Sequence, residues 1–153
     1  MASIDRADPV ILGHVLAQHR DLFNLMQSVR AGLAATPCPE SPDCGCLLDS
    51  LRKLRDHLHD HFAQEEAGGF LEESVARVPR LSPAVREILG EHPALLAELD
   101  ALIAELSGGP STTEAWRTAA AAFDRFGGHM QEHERRENSV VQEGYNENLG
   151  LVE

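Results

Sequence analysis

Six residues stand at spacings that suit metal chemistry: His19, His61, Glu65, His92, His133 and Glu137. His61-Phe-Ala-Gln-Glu65 and His133-Glu-Arg-Arg-Glu137 each set an imidazole four residues before a carboxylate. On a helix, residues i and i+4 share a face, with Cβ atoms about 5–6 Å apart. Each HxxxE therefore aims one nitrogen and one carboxylate the same way. The pattern also repeats. Moved on by about 72 residues, His19 falls on His92, His61 on His133, Glu65 on Glu137, and His57 on His129. That register reads as an internal duplication. Two HxxxE helices, with one histidine from each of two others, bring four imidazoles and two carboxylates to one core volume. A carboxylate has two oxygens and can span two metal ions, so the natural occupant is a dinuclear centre. Four imidazoles suit Fe or Mn, with Zn allowed, better than Mg or Ca, which prefer oxygen. Burying those six groups without metal would carry a large desolvation cost.

Such a site needs helices to hold it, and the rest of the chain supplies them. Of 153 residues, 42% are apolar but only 5% are aromatic, a Leu- and Ala-rich composition that favours helix over a β-sandwich. Breaks fall at AGLAATPCPESPDCGC from Ala31, between Val78-Pro79 and Ser82-Pro83, and at Ser107-Gly-Gly-Pro-Ser111. Four segments with apolar residues every three or four positions lie between them. The first opens on Asp8-Pro9, the second spans about 47–67, the third opens on Ser82-Pro83, and the fourth on the capping-box pattern Ser111-x-x-Glu114. The fourth extends to about Tyr145. The expected fold is all-α, an antiparallel up-down four-helix bundle, in a single domain over 1–153. A Cys-containing loop, about 36–46, joins its first two helices. Pro93, directly after His92, is expected to kink the third helix, and Gly127-Gly128 to permit close helix approach or bending.

The order His19, His61xxxGlu65, His92, His133xxxGlu137 resembles the hemerythrin-like (HHE cation-binding) domain family across essentially the whole chain. The stretches QHRDLFNLM, HFAQEE, GEHPALLAEL and HERREN around the four histidines are similar to that family too. The resemblance implies a four-helix bundle around a non-haem di-iron centre. His19, His61, His92 and His133 would be terminal ligands, and Glu65 and Glu137 bridging carboxylates. The chain departs from the oxygen-carrying members, which place a second histidine where this sequence has Leu96 and use HxxxxD where it has HxxxE. It is closer to members linked to iron sensing, nitrosative stress or peroxide. No Glu-x-x-His occurs, which sets it apart from ferritin-type di-iron bundles. The expected cofactor is two Fe ions, and the expected partner a small ligand: O2, NO or peroxide. A di-iron oxidoreductase, or an iron storage or delivery protein, is the alternative.

A net charge of −12 leaves little from which to build a basic face, so nucleic acid and anionic membrane are disfavoured. No basic stretch followed by an apolar run opens the chain, and no apolar run reaches spanning length, so the expected compartment is the cytoplasm. A homodimer is compatible with such a bundle. His57 and His129, one turn before each ligand histidine, are read as fifth ligands or, more readily, as cavity-lining partners. His14 and His59 are read as solvated, and Glu66 and Glu134 as surface residues beside the motif. Tyr145, the only tyrosine, is read as a packing residue. Cys38, Cys44 and Cys46, an odd number, do not form a disulfide framework; they read as incidental thiols or as a redox switch.

Overall fold

The computed structural model describes residues 9–35, 44–108 and 112–152, and the side chains of 17–34, 46–108 and 112–145 among them. The fold is an all-α helical bundle, with no strand among the described residues. Its helices are α1 Pro9–Ala35, α2 Cys44–Glu66, α3 Phe70–Arg77, α4 Ser82–Gly90, α5 His92–Ser107 and α6 Thr113–Val152. No helix among the described residues is long and apolar enough to cross a membrane.

Two of the expected segments are interrupted, each for a local reason. The α2 helix stops where Gly68 takes a φ of 103°, in the left-handed region that costs glycine little and other residues more. The chain then restarts as α3. A 3-10 turn over Pro79–Leu81 leads into α4, with proline in its first turn. The third expected helix does not kink at Pro93 but breaks before it. The α4 helix ends at Gly90, the Glu91 N–H bonds back to the Ile88 carbonyl at 3.1 Å, and α5 begins at His92. Proline in a first helical turn has no N–H to waste, so a fresh helix start satisfies Pro93 better than a bend. The cap of α6 is Thr112, whose Oγ1 accepts from the Ala115 N–H at 3.0 Å. Ser111 lies outside the described residues.

The chain packs as two compact units, each gathered from stretches distant in sequence. One comprises 1–20, 60–92 and 132–153; the other comprises 21–59 and 93–131. The second unit has a core of leucines (Leu22, Leu51, Leu54, Leu58, Leu99, Leu106) with Phe123, Phe126 and Met130. Across its surface Arg55 Nε donates to Asp100 Oδ1 at 2.9 Å. A Cβ on Gly127 would stand 3.1 Å from Arg30 Nη2 and 3.5 Å from Met26 Cε, so here the glycine does admit close approach to α1; Gly128 has open space.

The first unit is smaller in core but carries the polar residues. Leu71, Leu81, Val85, Ile88, Val140, Val141 and Tyr145 form its apolar cluster. Tyr145 is a packing residue here: it is buried, with the Arg77 guanidinium 4.2 Å over its ring. Burial and the neighbouring Glu73 carboxylate push its hydroxyl up to about 12. The α3 helix rests on α6 at Ser74, whose Oγ bonds the Phe70 carbonyl at 2.8 Å. Gly144 meets it so closely that a Cβ would lie 2.5 Å from Ser74 Cβ.

Candidate metal centre

All six residues singled out by spacing fall in the first unit, and the fold brings all six together. The helical register sets their directions. His19 comes from α1, His61 and Glu65 from one face of α2, His92 from the first turn of α5, and His133 and Glu137 from one face of α6. Five are buried and Glu65 is partly so; Glu137 is 2% exposed and His133 0%.

They form two overlapping groups. His19, His61, Glu65 and Glu137 can bring one donor atom each within 4.8 Å of one another, and so can Glu65, His92, His133 and Glu137. Both carboxylates are shared. Glu65 turns Oε2 to His61 Nε2 at 3.2 Å and Oε1 to His92 Nε2 at 3.1 Å. Glu137 turns Oε1 to His19 Nε2 at 3.4 Å and Oε2 to His133 Nε2 at 3.7 Å. Each carboxylate thus offers one oxygen to either histidine pair.

Hydrogen bonding leaves this inner volume unsatisfied. The Nε2 atoms of His19, His61, His92 and His133, Oε1 of Glu65 and both oxygens of Glu137 are buried and lack a hydrogen bond of good geometry. Native interiors rarely tolerate so many orphaned polar atoms in one place. Nitrogen and carboxylate donors facing inward at these separations fit one divalent or trivalent ion in each group.

The electrostatics follow from burial. Desolvation, then the neighbouring charge of His61, pull His19 down to about 4, so its ring is neutral at ordinary pH and free to donate a lone pair. Burial also lowers His133, against a hydrogen bond to Glu91 that raises it. For Glu65 burial favours the protonated form, but the close approach of the His61 and His92 rings and of the Glu137 carboxyl outweighs it and holds the carboxyl below its ordinary range. Burial and the proximity of Glu65 push Glu137 well above that range. As a bare pair, Glu65 holds the charge and Glu137 the proton, as two carboxyl groups must when like charge cannot be screened.

The outer nitrogens of one histidine pair have partners that spacing did not disclose. His92 Nδ1 lies 2.7 Å from Glu66 Oε2, and His133 Nδ1 lies 2.8 Å from Glu91 Oε1. Arg136 Nη2 donates to the other oxygen of Glu91. Glu66, expected to be a mere surface residue, therefore orients a ring from the half-exposed rim. Glu91 was missed altogether. Its signal was adjacency, one residue before His92, at the break that turns its carboxylate towards α6. Glu134 is half-buried rather than on the surface, and burial pushes it up to about 7. Phe62 lies flat on the His92 ring, with centroids 3.7 Å apart and planes 3° from parallel.

His57 and His129 join neither group. His129 is not a cavity-lining residue: its side chain is 61% exposed, and its Nδ1 sits 3.0 Å from Glu98 in the second unit. His57 is half-buried, and His59 is exposed. The His14 side chain and Cys38 lie outside the described residues. Cys46 is an exposed free thiol on the first turn of α2 rather than in a loop.

A cavity of about 230 Å³ opens against the His19/His61 pair. Beside those rings and the two shared carboxylates, Gln18, Gln64, Phe70, Leu71 and Val141 line it. His92 and His133 do not reach it.

Residues 10–143 match the family model of the hemerythrin HHE cation-binding domain. No curated protein and no solved structure gives a significant match.

Proposed function

From a chain that belongs to the hemerythrin HHE cation-binding domain family, we propose a non-haem di-iron protein that binds, senses or reacts with a small ligand: O2, NO or peroxide. One observation carries this reading. Two carboxylates each present one oxygen to either of two histidine pairs, which is the arrangement a bridged metal pair requires. His19 and His61 would hold one ion, His92 and His133 the other, and Glu65 and Glu137 would join them. Iron suits four imidazoles with two carboxylates; Mn and Zn fit the same donors with less redox use.

Bound there, iron supplies reversible electron transfer and coordination positions for an exogenous ligand. The protein's own residues do the rest. Two nitrogens and two carboxylate oxygens per ion leave coordination positions unfilled by this set. The cavity reaches only the His19/His61 side, and its volume suits a diatomic molecule or peroxide rather than a metabolite. Leu71 and Val141 keep its floor apolar, while Gln18 and Gln64, bonded to each other at 3.3 Å, set amides at its edge. On the opposite side the Phe62 ring lies flat against His92.

Elemental analysis of the purified chain after anaerobic ferrous loading tests the metal assignment. Two irons per chain are expected; one zinc, or no metal at all, would overturn it. The route is tested separately by Val141→Phe, which puts a ring into the cavity from a wall that is 2% exposed. Iron content should stay at two per chain, while NO binding to the ferrous form slows at least about ten-fold as the added volume occupies the path. Unchanged NO kinetics in a fully loaded variant would mean that ligands reach the iron by another way.

A further inference from the structure

The duplicated halves are alike in their ligands and unlike just behind them. Glu66 follows Glu65, and the residue that follows the matching Glu137 is Asn138. Glu91 precedes His92, and the residue that precedes the matching His19 is Gln18. Each carboxylate that backs the His92/His133 pair thus has a neutral amide as its counterpart on the His19/His61 side. The amides lie near the other pair without a matching bond: Asn138 adjoins His19, whose buried Nδ1 has no hydrogen-bond partner, and Gln18 lines the cavity together with His61. A third position differs the other way: Phe62, stacked on His92, corresponds to Glu134, a half-buried carboxyl whose charge acts on His61.

The consequence is chemical. An imidazole whose Nδ1–H is given to a carboxylate gains negative character and becomes a stronger donor through Nε2. One without such a carboxylate gains much less. Glu91 is a firm partner, since Arg136 fixes its second oxygen; Glu66 is half-exposed and so the weaker of the two. Both act on the same pair of rings, and neither acts on the other pair.

On the reading that the six residues hold two metal ions, we propose that the two positions are inequivalent by construction. The His92/His133 position is the tighter one and favours the higher oxidation state, with Glu66 and Glu91 as its positioning residues. The His19/His61 position, with the neutral amides of Gln18 and Asn138 in the corresponding places, is the weaker one. The chain has taken a symmetric ligand set and differentiated it from the layer outside.

Cobalt(II) titration of the metal-free full chain, followed by calorimetry, tests this without recourse to any activity. The native protein should bind two ions in steps at least about ten-fold apart. Combined Glu66→Gln and Glu91→Gln should weaken the first step by about 10–100-fold and leave the second within about two-fold, so that the steps converge. Gln18→Glu should tighten the second step and leave the first unmoved. All three changes lie at half-buried or exposed positions and keep side-chain size, so thermal melts of the metal-free proteins should agree within a few degrees. Should the native and doubly substituted chains bind two ions with the same pair of affinities, or should both steps weaken alike, the proposal fails while the dinuclear reading stands. A native chain that binds no second ion overturns both.

Discussion

Glu137→Gln should reduce the metal content from two ions per chain to one or none. Glu137 belongs to both donor groups, and its oxygens serve His19 on one side and His133 on the other. Glutamine has the same size but one oxygen, no charge and an amide that repels a cation. Both positions lose a charged donor at once, and the mutual repulsion of two ions is no longer offset between them. Glu65→Gln should act in the same direction, since Glu65 is shared in the same way. Metal analysis after anaerobic loading reads the result, and two ions retained in both variants would remove the bridging role.

Misfolding would mimic that loss, and the proton on Glu137 separates the two. Its pKa is raised above the ordinary 4.5, so the folded chain holds this proton more tightly than the unfolded chain does. That contribution to stability is complete below about 4.5 and is lost as pH rises through the raised value. Glutamine never ionises and escapes the loss. Metal-free Glu137→Gln should therefore melt at or above the metal-free native protein, with a gap that widens as pH rises. A variant that melts well below it at every pH would trace the missing metal to a damaged fold instead.

Gly144→Ala should be among the most destabilising single-methyl substitutions in the chain. The new Cβ would lie 2.5 Å from Ser74 Cβ, 2.6 Å from Ser74 Oγ and 2.8 Å from Ser74 Cα. The last of these is backbone, so no rotamer change relieves the clash. The α3 and α6 helices must part, and the Ser74 hydroxyl, bonded to the Phe70 carbonyl, moves with them. Overpacking of this kind costs about 1–3 kcal/mol, which in a chain of this size is a fall of several degrees in Tm. Phe70 and Leu71 also wall the cavity, so ligand binding should change together with stability. Gly144→Ala combined with Ser74→Gly should recover much of the loss, because the second change removes two of the three close atoms. Equal melting of native and Gly144→Ala proteins would show that the contact yields freely.

Much of the inner site was legible because its information is periodic. The four-residue step from His61 to Glu65 and from His133 to Glu137 encodes a shared helix face, and the repeat set His19 against His92. Those relations survive whatever the loops do. Glu91 was not legible because its role depends on a contact with α6 and on a helix break whose direction no periodicity encodes. Pro93 signalled an irregularity, but its position in a first turn rather than an interior decided between break and kink. His129 shows the opposite failure. It stands one turn from His133, where i−4 spacing predicts the same face, yet at the level of Glu98 that face looks out to solvent. A long helix such as α6 can bury one turn and expose the next.

The interleaving of the two units also orders events in time. The unit that holds the site draws on residues 1–20, 60–92 and 132–153, so no contiguous part of the chain contains all its donors short of His19 to Glu137. During synthesis a nascent chain exposes His19, His61, Glu65 and His92 long before His133 and Glu137 leave the ribosome. Until then it has three imidazoles and one carboxylate, with nothing to complete either group. Neither donor group can be completed until translation has passed residue 137, and a chain stalled earlier has only part of each.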